Sequence, residues 1–411
     1  MSEETELFRY VRQADSAFAW RHEETRTDSE ISITRLHLDS QVWQGILWTH
    51  TVELFVPAKV RNPDIALLYV ATPPGDGQTE IGCLLAQHTG VICAFLSDIP
   101  NQPLFDDLVE DALIAHTFVQ FLDTGDFTWP LLFPMVKSAV RAMDAVQAFA
   151  AQHGGFAPNR IVVSGASKRG WTTWLTAAVD PRVAGIAPMV YDNLNIPAQM
   201  PHQVEVFEGY SEQISDYTEQ GLPQRMQTPE GMHLARSVDP YTYREHLIMP
   251  KLIINGSNDR YWATDAINLY WNDLPGIKHV LDIPNVGHSL DDPQRLFSTL
   301  VAFLRGMADN RHLPRLDWSF EVGERAIMLT VAVDEPASDA RIWVATASGR
   351  DFRNVSWISF PMTAEAAAST QTGLYCGEVS LPVAGHMAVY GELEFSRDGY
   401  TFSLTTQVHV H

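Results

Sequence analysis

Three side chains in this sequence have the types and the order needed to make and use an oxygen nucleophile: Ser167, Asp259 and His288. A serine hydroxyl is weakly nucleophilic until a base takes its proton, a carboxylate orients that base, and donors receive the oxyanion. Ser167 lies in "IVVSGASKRGW" (Ile161 to Trp171), which reads as a buried strand, a tight turn and a helix. Gly165 stands two residues before the serine, where a strained turn leaves no room for a side chain. The pattern departs from G-x-S-x-G, because Arg169 occupies the second glycine position and Gly170 follows one place later. Asp259 follows the strand "KLIIN" in the loop "GSNDRYW", and His288 follows the next strand in "PNVGHSL", with Gly287 beside it. Asp192, after "APMVY", is the competing acid, and Asp282 falls inside a strand and is the weaker choice.

A nucleophile at this turn calls for an oxyanion donor at the next residue, the backbone N–H of Lys168. The second donor is expected from the loop after "IALLYVA", where Thr72 has an N–H and Pro73 and Pro74 have none. The side chains of Lys168 and Arg169 are placed to meet negative charge on a substrate, or else are ordinary charges contacting neighbouring segments. Glu205, Glu208 and Glu212 are candidates for binding the amino terminus of a peptide, the alternative being a solvated helix face.

Positioning these groups requires a particular scaffold. "QVWQGILWTHTVELFVP" (Gln41 to Pro57) alternates apolar and polar residues and predicts a hairpin or meander. The apolar runs "IALLYVA" (Ile65 to Ala71) and "GVICAFL" (Gly90 to Leu96) suit strands buried on both faces. "PMVKSAVRAMDAVQAFAA" (Pro134 to Ala151) has helical spacing with a first-turn proline, and strand and helix signals then alternate to "QRLFSTLVAFLRGMAD". That alternation predicts an α/β fold with a mostly parallel sheet. The long segment at about 195–246 interrupts it and reads as a cap over the carboxyl ends of the strands. From about residue 315 short alternating runs replace helices, predicting an immunoglobulin-like β-sandwich over 315–411 behind a first domain of 1–314.

Composition narrows the function classes. With 45% hydrophobic and 19% charged residues the chain is that of a globular protein. A net charge of -22 without a basic block argues against nucleic acid or anionic lipid as partner. No run is long enough for a membrane span, and three scattered cysteines form neither a disulfide framework nor a metal site. The acidic opening "MSEETELFRYVRQADSAFAW" lacks signal-peptide features, so the sequence as given reads as cytoplasmic, and as exported if a leader was removed.

"NQPL", "EDALIAHTF", "GASKRGWTTWLTAAVDPRV" and "PNVGHSL" together resemble the PhoPQ-activated pathogenicity-related proteins, including those of the autocrine proliferation repressor type. The resemblance runs from "YVRQADSAFAW" through "DYTEQGL" into the C-terminal β region. It implies an α/β-hydrolase core with a C-terminal β domain, Ser167, Asp259 and His288 as triad positions, and links to virulence regulation or dipeptidyl-peptidase-like activity. The turn "TPPGDG" departs from the glycine-rich turn usual in the family. The expectation is a serine hydrolase that needs no metal or organic cofactor and takes a small-molecule, peptide or sugar-ester substrate. The alternatives are a glucuronoyl-type carbohydrate esterase, suggested by a serine followed by a basic residue and glycine, and an inactive hydrolase-fold binding protein.

Overall fold

The computed structural model describes residues 5–73, 75, 77–365 and 372–411. Its main sheet begins with three antiparallel strands, β1 (Ala19–Asp28), β2 (Ile31–Trp43) and β3 (Ile46–Pro57). The next six in sequence are β4 (Ile65–Val70), β5 (Ile92–Leu96), β6 (Arg160–Ala166), β7 (Val183–Met189), β8 (Lys251–Gly256) and β9 (Lys278–Ile283). They lie in the spatial order β5-β4-β6-β7-β8-β9, all parallel, with β3 antiparallel against β5. Their apolar runs are continuous because both faces are covered. Ala66, Leu68 and Val70 of β4 enter one core, and Ile65 and Leu67 enter the other, as the period of two requires.

The first core lies under helices α1 (Glu6–Arg12), α3 (Glu110–Thr124), α4 (Leu132–His153) and α5 (Lys168–Val179). The opposite core lies under α2 (Gln78–Thr89) and α10 (Pro293–Asp309). Helix α10 starts where sequence rules place it, with Pro293 at its first position and the Asp292 carboxylate accepting from the Arg295 N–H at 3.1 Å. No helix among the described residues is long and apolar enough to cross a membrane.

The insertion between β7 and β8 carries α6 (Ile196–Phe207), α7 (Ser215–Thr218), α8 (Leu222–Arg225) and α9 (Pro229–Val238). Its two ends are pinned together by one buried carboxylate. Asp239 accepts from the N–H groups of Asn195, Ile196 and Tyr241 at 3.1, 2.7 and 2.9 Å.

Past α10 the described residues form only strands and loops: β10 (Leu316–Val322), β11 (Ala326–Val333), β12 (Asp339–Ala347), β13 (Ile358–Pro361), β14 (Thr363–Glu365), β15 (Gly373–Ser380), β16 (His386–Arg397), β17 (Tyr400–Thr405) and β18 (His409–Val410). One set forms a four-stranded sheet, β10-β11-β15-β14. The other, β17-β16-β12-β13 with β18 on β16, continues the main sheet, because Thr405 of β17 pairs with Val280 of β9. The two layers share a core. A side chain at Gly391 of β16 would come within 2.9 Å of the Leu329 side chain on β11, so the two layers pack closely there.

Candidate active site

Ser167 sits between β6 and α5 with φ 57° and ψ -126°, a backbone conformation costly for any residue except glycine. Two glycines make the turn possible. A Cβ at Gly165 would lie 2.8 Å from the Arg169 carbonyl oxygen, and one at Gly170 would lie 2.8 Å from that of Met189. Gly170 therefore serves the close helix–strand contact one residue later than G-x-S-x-G places it.

The three groups expected to act together meet at the carboxyl end of the parallel sheet. His288 Nε2 is 2.9 Å from Ser167 Oγ, and His288 Nδ1 is 2.7 Å from Asp259 Oδ2. A carboxylate accepts, so Nδ1 carries the hydrogen and Nε2 is left to receive the serine proton. Asp259 is buried, and its other oxygen accepts from the Tyr261 N–H at 2.9 Å. The Tyr261 ring lies against the imidazole, with centroids 4.2 Å apart. Asp192 is engaged elsewhere, accepting from the Tyr270 hydroxyl at 2.6 Å and from Asn255 Nδ2 at 3.1 Å. Asp282 lies within β9.

The basic pair beside the serine takes up the second of the two roles left open by the sequence, contact with a neighbouring segment. Arg169 donates through two nitrogens to Glu110 at 2.6 Å each, and through Nε to the Ile99 carbonyl at 2.5 Å. Lys168 Nζ lies 2.8 Å from Glu110 and 3.1 Å from Asp111. Both cations are buried, and the two carboxylates opening α3 neutralise them. Burial works to raise the Glu110 pKa, but the Arg169 bonds and the two positive charges prevail and hold it at about 2. Asp111 also accepts from the hydroxyls of Tyr217 at 2.9 Å and Tyr261 at 3.2 Å, joining the β7–β8 insertion, α3 and the loop after β8. Burial, and secondarily the Asp111 charge, keeps both phenols protonated well above the usual range. Asp111, Tyr217 and Tyr261 were not singled out by sequence. The available signal was "EDALIAHTF", whose two leading carboxylates balance the lysine and arginine of "GASKRGW".

Two cavities open from Ser167. One, of about 100 Å³, lies against the β7–β8 insertion between Trp171, Tyr191, Tyr217, Tyr261 and Trp262. The other, of about 600 Å³, runs between α2 and α10 and is lined by Thr72, Arg169 and His288. Thr72 thus borders the cavity that contains the serine, whereas Pro74 and Asp76 of the same turn lie outside the described residues. Glu205 and Glu208 are exposed and border neither cavity. Glu205 pairs with Arg350 at 2.6 Å, and Glu212 is held by Arg260 and Arg353.

The strand order, the strained turn and the serine–histidine–aspartate geometry define an α/β-hydrolase fold. A solved acetyl xylan esterase from Paenibacillus sp. R4 shares it, with a TM-score of 0.50 at 14% identity over 70% of this chain and 90% of that one. Acetyl xylan esterase 1 from Thermoanaerobacterium sp. JW/SL YS485 gives a TM-score of 0.46 at 14% identity, over 74% of this chain and 92% of that one. Within the fold, residues 7–353 match the PhoPQ-activated pathogenicity-related protein family, and the chain belongs to that family. It is also 32% identical to autocrine proliferation repressor protein A of Dictyostelium discoideum over 99% of this chain and 90% of that protein.

Proposed function

We propose that the protein is a serine hydrolase that cleaves an uncharged ester through an acyl-enzyme on Ser167. The observation that carries this reading is the unbroken path from Ser167 Oγ through the His288 imidazole to the buried Asp259 carboxylate. In the first step Oγ attacks the ester carbonyl carbon while His288 Nε2 takes its proton. The negative charge that develops on the carbonyl oxygen faces the Lys168 N–H, one of the amides at the start of α5 that have no acceptor within the helix, and the Thr72 N–H. His288 then protonates the departing alkoxide, and the C–O bond breaks. Water attacks the acyl-enzyme with His288 again as base, releasing the acid and restoring Ser167. Asp259 stabilises the imidazolium in both halves without taking its proton.

Charge balance narrows the substrate. Lys168 and Arg169 face Glu110 and Asp111, so no net positive charge remains for a sugar acid, and the exposed positions of Glu205 and Glu208 remove the support for peptide amino-terminus recognition there. The small aromatic cavity suits a short acyl group, and the larger cavity suits the leaving group. In the same reading 1–314 is the hydrolase domain, its insertion at about 195–246 is a cap, and 315–411 forms a β-sandwich. A p-nitrophenyl ester series from acetate to octanoate tests the function. Hydrolysis that falls with acyl length and is lost in Ser167→Ala is expected; activity that rises with length or survives that substitution contradicts it.

A further inference from the structure

The C-terminal strands send one loop, 348–357, back to the two loops that carry the acid and the histidine. Asn258, immediately before Asp259, donates Nδ2 to the carbonyls of Phe352 at 3.1 Å and Val355 at 2.8 Å. Asn285, three residues before His288, pairs its side-chain amide with one backbone unit. Its Nδ2 donates to the Trp357 carbonyl at 3.0 Å, and the Trp357 N–H donates to its Oδ1 at 2.7 Å. Asn285 has φ 60°, a left-handed conformation that asparagine tolerates better than most residues. The two loops are also joined to each other, since the Asn285 N–H donates to Ser257 Oγ at 2.9 Å and the Asn258 N–H to the Val286 carbonyl at 3.0 Å.

The loop that receives these bonds is itself fixed. Phe352 and Trp357 are almost fully buried in a separate apolar cluster with Tyr390. Asp351 folds back on Arg353, accepting from its N–H at 3.0 Å and from its guanidinium at 2.7 Å. The same loop reaches the cap through charges. Arg350 pairs with Glu205 at 2.6 Å, and Arg353 pairs with Glu212 at 2.9 Å while its guanidinium lies 3.7 Å from the Phe207 ring centroid.

We propose that loop 348–357 is a positioning element of the active site, in which Asn258 and Asn285 hold the Asp259 and His288 loops in register while Arg350 and Arg353 hold the cap. The inference rests on the triad reading of Ser167, Asp259 and His288. The two arms differ chemically. The asparagine arm is neutral and fixes groups that move protons, so loosening it lowers kcat; displacement of a reacting group by about 1 Å can cost ~100-fold. The arginine arm joins partly exposed ion pairs and fixes the entrance, so weakening it acts on KM and is screened by salt.

The test uses the full chain and p-nitrophenyl acetate, with melting followed by circular dichroism. Asn258→Asp and Asn285→Asp each remove N–H donation while keeping side-chain size. Each is expected to lower kcat roughly 10- to 100-fold with KM within about twofold and the protein still folded. The neutral substitutions Asn258→Ser and Asn285→Ser repeat the test should an aspartate variant not fold. Arg350→Ala is expected to raise KM with kcat within about twofold, and the difference from wild type should shrink in 1 M salt, where the screening length is about 3 Å. Asparagine variants with lowered melting temperatures but wild-type kcat would overturn this inference alone, because the loop would then be only mechanical support. Wild-type hydrolysis that survives Ser167→Ala would overturn the triad reading and this inference with it.

Discussion

Replacing Glu110 with glutamine should destabilise the protein by about 2 kcal/mol at pH 7, and the loss should fade in acid. Glu110 accepts two bonds from Arg169 and lies 2.8 Å from Lys168, so its charge balances two buried cations next to the serine. Its pKa falls from 4.5 to about 2, which at ~1.4 kcal/mol per unit sets an upper bound of about 3.5 kcal/mol. Its side chain is 35% exposed, so solvent screening reduces that figure to about 2 kcal/mol. Because the folded-state pKa is depressed, the stabilisation is complete above 4.5 and is lost as pH falls through about 2. Glutamine keeps the shape and does not titrate. Urea unfolding of both proteins from pH 7 to pH 3 measures the effect, with the wild-type advantage narrowing at the acid end. A difference below about 0.5 kcal/mol at pH 7, or one constant with pH, would refute the reasoning.

Asp259→Asn should lower kcat by roughly 10³- to 10⁴-fold through the wrong imidazole tautomer, whereas Asp192→Asn should leave kcat within a few-fold. Burial raises the Asp192 pKa to about 7, so its contribution to stability is complete below 3.8 and lost as pH rises through 7; Asp192→Asn should therefore gain on wild type by about 1 kcal/mol or more at pH 8, read by urea unfolding. Gly170→Ala should cost about 2 kcal/mol and reduce ester hydrolysis, because its methyl group meets the Met189 carbonyl rather than a side chain that can rotate away; wild-type stability in denaturant melts would contradict this.

What the sequence made legible was mostly local. The run "IVVSGAS" has a strand's apolar continuity and a turn's small residues, and β6 and α5 meet at Ser167 as that pattern requires. Asp259 and His288 could be picked out because each follows a buried strand, and chain order then limits which loops can meet. The role of Lys168 and Arg169 was not legible, because it depends on Glu110 and Asp111, which α3 brings in from 57 or more residues away. Hydrophobic periodicity carries no signal for such a pairing. Glu205 illustrates the same limit: its exposure follows from its helix face, but its partner Arg350 comes from a loop 145 residues later. The join of the C-terminal strands to the main sheet was also hidden, since one bridge, Thr405 to Val280, decides it. Nothing local in the sequence signals the partners of Asn258 and Asn285, which belong to a later loop and lie 72 or more residues away.

The most direct test of the central claim is covalent labelling of the purified protein by a fluorophosphonate, with the modified residue located by mass spectrometry and Ser167→Ala and His288→Ala, each shown to be folded, run beside it. The account predicts label on Ser167 in the wild type and none in either variant. A folded wild-type protein that takes no label, or takes it equally in both variants, would contradict an activated serine at this turn and leave a hydrolase-fold protein that binds without cleaving.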